Sequence, residues 1–396
     1  MNKDYFEKHK KQSLNFTLSF SKTLLLKNIK ESRVSQQVMS VQPERMQAVT
    51  YQGKSKVRIT AVPKPVLASD SEAIVKVHYT TICGSDLHNY CGAIKLRKGT
   101  VLGHESVGIV HQAGENCGFS VGDRVAISKW LVCGSCFYCK ESRFELCPTA
   151  AKPQGQAEYV RVPNAEINLL KIPDGIDLKQ AIFLCDVAPT AAYALDMLKP
   201  KGPVGVWGCG PVGLCVQKLA IKKDFQIVAV DHIDSRLQVA RQIGATTFNF
   251  DKEDVVQLIK RLYPDGLYVV DAVGFRYQKS WRSSFERALK LETDSSEGLS
   301  DCIECAKAGS TIAVIGDYVG ATNHFPIGRI IEKSLILRGG NTPIQKYWNE
   351  MLELMKSGFD FSDLITEEMD FSSAVEAYEL FDKKQKKSIK ILLKMV

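Results

Sequence analysis

Short runs in which apolar and polar residues alternate dominate the chain from Met46 onward. "MQAVTYQ" (46–52), "SKVRIT" (55–60) and "AIVKVHYTTI" (73–82) are rich in Val, Ile and Thr, with turn residues between them. "GHESVGIVHQAG" (103–114) and "GDRVAIS" (122–128) repeat the texture. A period of two predicts half-buried strands, so this half reads as all-β, a small barrel. The period changes at 177–200, where "DLKQAIFLCDVAPTAAYALDMLKP" has helical spacing and Lys201-Gly202 ends it. A strand–glycine loop–helix unit starts at Pro203, and β/α alternation continues to about residue 338. That is the pattern of a parallel sheet with helices on its faces. The last stretch, 341–396, has helical segments ("YWNEMLELMKSG", "FSSAVEAYELFDKK") and a closing strand, "SIKILLK". The fold class is α/β.

Residues 1–45 break from this order, being polar, basic, rich in Ser and Gln, and without sustained period. They carry nine Lys/Arg and four Asp/Glu, a net +5 of the chain's +8. The segment reads as a disordered extension. A mitochondrial presequence is the alternative, against which stand Asp4 and Glu7, since such peptides are poor in acid. The nearly neutral remainder shows no basic stripe interleaved with aromatics, so no nucleic-acid partner is expected. No apolar run reaches the ~18 residues of a membrane span, so no membrane is expected either. The twelve cysteines lack the short chain and signal peptide of a secreted disulfide framework. The protein is expected in the cytoplasm with reduced thiols.

Two kinds of chemistry then stand out. Gly208-Cys209-Gly210-Pro211-Val212-Gly213 is a G-x-G-x-x-G between a strand ("VGVW") and a helix ("LCVQKLAI"), and a second strand ends in Asp231, 18 residues beyond Gly213. This context reads as a dinucleotide site, with Gly208, Gly210 and Gly213 letting the backbone approach a pyrophosphate at the helix N-terminus. Asp231 would accept from the adenosine ribose hydroxyls and repel a 2′-phosphate, favouring NAD over NADP. The other chemistry is metal binding. Cys133, Cys136, Cys139 and Cys147 form a C-x2-C-x2-C-x7-C run that can close a tetrahedral zinc site, with an iron–sulfur cluster as the competing reading. Cys83 and His104 are further candidates, each alone compatible with a buried core role. Cys185 and Asp186 sit side by side, and either could be a ligand.

Together "CGSDLH", "GHE", "GDRV", the four-cysteine loop, "GCGPVG" and "VAVDHIDSRL" resemble the zinc-containing medium-chain alcohol dehydrogenases over residues 46–396. "DAVGFRYQKSW" and "TNHFPIG" look most like the formaldehyde dehydrogenase-like branch. The resemblance implies a GroES-like β-barrel catalytic domain (46–189 and 341–396) carrying the structural zinc loop, and a Rossmann doubly wound coenzyme domain (190–340). It implies two Zn²⁺ per subunit, NAD, a small alcohol or aldehyde substrate, and a homo-oligomer, dimer or tetramer.

By the same resemblance the third ligand of the catalytic zinc lies four residues before a threonine that packs on the nicotinamide. From Thr190 that is Asp186, beside Cys83 and His104, and Cys185 then faces the core. Ser85 would pass the alcohol proton on to His88, a histidine near the surface that exchanges it with solvent. Asp86 would orient His104, and Glu105 would approach the metal during ligand exchange. Arg236 falls at a basic contact to the adenosine ribose, and Lys390 at one to the pyrophosphate.

The implied reaction is hydride transfer between an alcohol, or a hydrated or adduct aldehyde, and NAD. A polyol or threonine dehydrogenase shares the scaffold and is the enzymatic alternative; a catalytically silent NAD-binding protein is the other. One departure bears on the substrate. Relatives carry a few dozen residues between the fourth loop cysteine and the strand at "GQAEYV", whereas only "PTAAKPQ" separates Cys147 from Gly155 here.

Overall fold

Strands built from β-branched residues fill the first part of the computed structural model, which describes residues 43–273, 295–318, 325–383 and 388–395. β1 (Arg45–Gly53) and β2 (Lys56–Pro63) form an antiparallel hairpin. β3 (Ala73–Thr81), β4 (Ser106–Ala113), β5 (Arg124–Ile127), β6 (Tyr159–Val162) and β7 (Leu169–Lys171) follow. β8 (Val204–Trp207), β9 (Ile227–Asp231), β10 (Thr246–Asn249), β11 (Tyr268–Asp271), β12 (Thr311–Val314) and β13 (Ile336–Gly339) come next. β14 (Ile365–Asp370) and β15 (Lys390–Lys394) close the chain.

The alternation read along β3 is real burial. Val75 and Val77 lie in a core with Val110, Val125 and Ile391 while Lys76 between them is exposed. Each such buried valine stabilises the fold by about 1.5–3 kcal/mol. The sheet runs β14-β15-β3-β4-β5-β7, with β6 also on β3. The GroES-like half is therefore completed by the two last strands, which follow the whole second half in sequence.

That second half is a parallel sheet in the order β10-β9-β8-β11-β12-β13, the Rossmann arrangement. β8 is buried along its whole length because helices cover both faces, so its residues show no alternation. Strand order reverses between β8 and β11, and the crevice at the carboxyl ends there is where such sheets bind ligands.

The stretch 177–200 is not one helix. A turn at Leu178–Ala181 and a 3-10 turn at Ile182–Cys185 end at Asp186, whose φ of −152° and ψ of −62° break the path. The helix Val187–Leu198 leaves at 47° to the preceding pair. It spans the expected division at 189/190 and packs with the helix Ile344–Lys356 in the core of the second half. No single helix among the described residues is long and apolar enough to cross a bilayer. The extension at 1–42, and most of the two branch-specific stretches (274–281 and 322–324), lie outside the described residues.

Asp271, at the end of β11, is fully buried and accepts hydrogen bonds from Val273 N (3.0 Å) and Tyr318 Oη (2.8 Å). Burial pushes its pKa up to about 6 from the ordinary 3.8. The folded chain thus keeps a proton here that the unfolded chain sheds. The stabilisation is complete below the unfolded value and is lost as pH rises through about 6. Asp271→Asn keeps the bond from Val273 N, can donate its amide to Tyr318 Oη, and does not titrate. Its unfolding free energy in urea, relative to that of the parent, should be greater by about 3 kcal/mol at about pH 7 than at about pH 3. A pH-independent difference would mean that Asp271 is not the titrating group.

Candidate functional site

Three segments distant in sequence meet at one edge of a cavity of about 550 Å³ between the two halves. Cys83 sits before the helix Gly84–Tyr90 in extended backbone and closes a capping box with Asp86, whose carboxylate accepts from Cys83 N at 3.0 Å. His104 enters from the turn before β4, and Asp186 from the break before Val187. Cys83 Sγ lies 3.8 Å and His104 Nε2 3.6 Å from Asp186 Oδ2. With a Glu105 oxygen, these ligand atoms fall within 4.8 Å of one another. Soft sulfur, imidazole and carboxylate converging without a disulfide or another bridging group is a donor set suited to zinc.

Cys185 points elsewhere. It is fully buried, its Sγ donates to Ser106 O at 3.2 Å, and burial pushes its thiol pKa up. Asp186 is the opposite case. Burial works against its charge, but the Lys129 ammonium and His104 hold its pKa well below the usual carboxylate range. Lys129 Nζ is 3.1 Å from Oδ1 and 3.0 Å from Oδ2. Thr190 Oγ1 donates to Oδ1 at 3.0 Å and receives from Thr342 Oγ1 at 2.9 Å. These bonds orient the carboxylate, and they make Thr190 a support of Asp186 as well as a wall of the cavity.

The neighbours of His104 are charged and buried. Asp86 Oδ1 is 3.3 Å from Nδ1, which leaves Nε2 for the cluster. Glu105, fully buried, pairs with Lys390, and its other oxygen has no hydrogen-bond partner. Lys390 departs from expectation. It is fully buried, and its ammonium is on Glu105 rather than free for a pyrophosphate. An unpaired carboxylate at that depth would cost several kcal/mol, and Lys390 answers it.

Ser85 Oγ stands 3.5 Å from Cys83 Sγ and 3.4 Å from His104 Nε2. His88 also differs from the sequence reading, which put it near the surface. It is 1% exposed, and its Nε2 lies 3.0 Å from Asp317 Oδ2. Asp317, 42% exposed, is the member of that pair that meets solvent. The helix Gly84–Tyr90 turns His88 inward, where a carboxylate from the end of β12 meets it.

In the loop, Cys133 Sγ is 4.0 Å from Cys139 Sγ and 3.7 Å from Cys147 Sγ. Four sulfurs about 2.3 Å from a tetrahedral ion would stand about 3.8 Å apart, whereas a disulfide needs about 2 Å. Cys136 completes the group. The N–H groups of Ser135 and Cys136 lower the Cys133 thiol to about 5, while burial lifts that of Cys139 to about 12. Burial thus disfavours the Cys139 thiolate, and a cation held among the four sulfurs would offset it.

Across the cavity, Gly208 has φ +96°, and a Cβ there would meet Ala272 O at 2.6 Å; one on Gly213 would meet Gly208 O at 1.8 Å. Both glycines are required by backbone contact alone. Gly210 opens the helix Pro211–Lys222, and its missing Cβ would stand 4.0 Å from Arg236 Nη1. Arg236 also donates to Ser388 O at 3.0 Å. Asp231 is 6% exposed and accepts from Cys209 N (2.7 Å), His232 N (2.7 Å) and Ile233 N (2.9 Å). Its carboxylate ties the glycine loop to the end of β9 and faces the cavity.

Lys129, Lys152, Thr342 and Asp317 were missed by sequence reasoning. The available signal was "SKW", a cation just ahead of the cysteine loop, and the shortened connection that carries Lys152.

Residues 69–174 match the family model described as Alcohol dehydrogenase GroES-like domain, and residues 211–357 that described as Zinc-binding dehydrogenase. A zinc-type alcohol dehydrogenase-like protein of Schizosaccharomyces pombe is 33% identical over 88% of this chain and 91% of its own. Formaldehyde dismutase of Pseudomonas putida and sorbitol dehydrogenase of Bacillus subtilis are each 28% identical, over 85% of this chain and 94% of theirs. Alcohol dehydrogenase TADH from Thermus sp. ATN1 shares the fold with a TM-score of 0.77 at 31% identity, over 89% of this chain and 100% of its own. A short chain alcohol dehydrogenase from E. coli CFT073, complexed with cofactor NADH, gives 0.74 at 25% identity, over 88% and 99%.

Proposed function

The chain belongs to the zinc-type alcohol dehydrogenase family, and on that premise we propose that it oxidises a small alcohol with NAD, holding one zinc at Cys83, His104 and Asp186 and another in the four-cysteine loop. The observation that carries this reading is the convergence of those three ligand atoms, within 4.8 Å of one another, with Ser85 Oγ beside them at the edge of the cavity.

When bound, zinc supplies Lewis acidity that acidifies an alcohol hydroxyl, and NAD supplies the hydride acceptor. Ser85 Oγ is placed to take the hydroxyl proton, because a hydroxyl both accepts and donates. His88 Nε2 and Asp317 hold the outward proton position, with Asp317 returning it to solvent. Asp86 fixes the tautomer of His104 by accepting a hydrogen bond from its Nδ1–H. Lys390 pairs with Glu105 behind the ligands. Asp231 favours NAD over NADP, because a second anion at the ribose would face its carboxylate.

The finer reading is a formaldehyde dehydrogenase-like enzyme. Its support is the aspartate at the third ligand position, with Cys185 turned to Ser106 O. The equal similarity to formaldehyde dismutase and sorbitol dehydrogenase keeps polyols in the comparison. Assembly through the open edge of the parallel sheet belongs to this reading, supported by exposed Ile327, Ile331 and Ile336 beside β13.

The deciding experiment follows NAD⁺ reduction over short alcohols, polyols and formaldehyde, with and without glutathione, before and after chelation. Two zinc ions per chain are expected, with turnover lost once the more accessible ion is removed. Undiminished turnover in protein that keeps only the loop metal would overturn the proposal.

A further inference from the structure

Lys129 holds a place that neither hydride transfer nor coenzyme binding explains. Its backbone N–H donates to Cys185 O at 3.0 Å, so the main chain just past β5 is fastened to the residue before Asp186. From there the side chain, 16% exposed, sets its ammonium 3.1 Å from Asp186 Oδ1 and 3.0 Å from Oδ2. Oδ2 is the oxygen that also meets Cys83 Sγ and His104 Nε2. The ammonium therefore shares the atom offered to the metal. A support that only oriented the carboxylate would need no charge, since Thr190 Oγ1 already donates to Oδ1.

The charges around the cluster balance when a divalent ion is added. With Cys83 as a thiolate and both histidines neutral, the anions are Cys83, Asp86, Glu105, Asp186 and Asp317, and the cations are Lys129, Lys152 and Lys390. The surplus of two negative charges equals the charge of one zinc ion. Most of these groups act at a remove from it. Asp86 pairs with His104, Glu105 with Lys390, and Asp317 with His88. Lys152, brought in by the bridge between Leu131 and Ala151, reaches Ser85 Oγ at 3.5 Å. Among the described residues, Lys129 is the cation that rests on a ligand carboxylate itself. A positive charge there weakens the hold of the site on a cation and leaves that cation less neutralised.

Resting on the alcohol-oxidising reading above, we propose that Lys129 is a positioning residue acting through Asp186. It draws carboxylate charge away from the metal, so that the ion is held less tightly and acidifies the alcohol more strongly. A lysine that merely braced the ligand would behave otherwise. Its loss would loosen Asp186, and metal affinity and turnover would fall together. In the role proposed, the two move in opposite directions.

The test removes the charge in two ways, Lys129→Met and Lys129→Gln, the second keeping an amide donor for Asp186. Retention of the loop zinc reports that each variant has folded. The accessible ion is stripped, and zinc is returned in competition with a chromophoric chelator at about pH 8, where an ordinary carboxylate is ionised. The zinc Kd of both variants should fall about tenfold or more below that of the parent. The single-turnover rate of NADH formation, with the zinc site saturated, should fall about tenfold as well. Lys129→Arg, which keeps the cation, should recover most of both. Zinc binding that is weaker or unchanged in the neutral variants, or tighter with the rate unmoved, overturns this inference. With a parent that takes up its second zinc and turns over alcohols, either result leaves the alcohol dehydrogenase reading standing. A parent that takes up no zinc at Cys83, His104 and Asp186, or oxidises no alcohol, overturns both.

Discussion

Asp186→Ala is expected to leave protein that folds, keeps the zinc of its cysteine loop, and has lost its other zinc and essentially all turnover. The carboxylate is the point at which four groups converge: Lys129, Thr190, His104 and, through Oδ2, Cys83. Without it the two remaining ligands bring only one negative charge to a divalent ion. Losing the Lewis acid forfeits several kcal/mol of transition-state stabilisation, so kcat should fall by about 10³-fold or more. Cys185→Ala, one position away, should keep two zinc ions per chain and most activity. It gives up only a buried thiol on Ser106 O, at about 1 kcal/mol of stability. Metal analysis and steady-state rates on the two variants side by side decide the matter, and zinc loss confined to Cys185→Ala would reverse the assignment.

Both halves of the fold were legible because each obeys one period. The strands from Met46 to Ser128 alternate as half-buried strands should, and "VGVW" before a glycine loop announces a parallel sheet covered on both faces. The stretch 177–200 was harder. Its helical spacing is genuine on either side of Asp186, and spacing cannot show one broken residue between two helical turns. That break brings the carboxylate to Cys83 and His104, so counting from Thr190 pointed to a side chain that the structure sets in the cluster, while the pattern hid its geometry.

Charged residues outside any period were the least legible. Lys129 and Lys152 meet across a two-residue bridge, and Asp317 comes from the end of β12 to a histidine more than two hundred positions earlier. Lys390 did leave a trace. It begins "KILL", a strand buried on both faces, and a lysine with no exposed phase to occupy needs a buried partner. Glu105 supplies it.

Asp231→Ala should exchange coenzyme preference rather than simply weaken binding. In the parent, a carboxylate at the end of β9 faces the cavity, and with the adenosine ribose bound beside it a 2′-phosphate would bring two further charges against it. At an effective dielectric of about 20, like charges about 4 Å apart cost roughly 4 kcal/mol, so discrimination against NADP should reach about 10²–10³-fold. The structure adds a second reason. Asp231 occupies the N–H groups of Cys209, His232 and Ile233, all within 2.9 Å. Truncation leaves three backbone donors converging on an empty place, with Arg236 close by, which is a nest suited to an anion. The same truncation loosens the glycine loop, so absolute rates should fall with either coenzyme. The ratio of kcat/KM for NADP to that for NAD cancels this common loss and should rise by about 10³-fold. Asp231→Asn separates charge from geometry, because its amide oxygen can keep part of the loop contacts while the charge is gone; it should recover part of the shift. A ratio unmoved in both variants would place the coenzyme's ribose away from the end of β9.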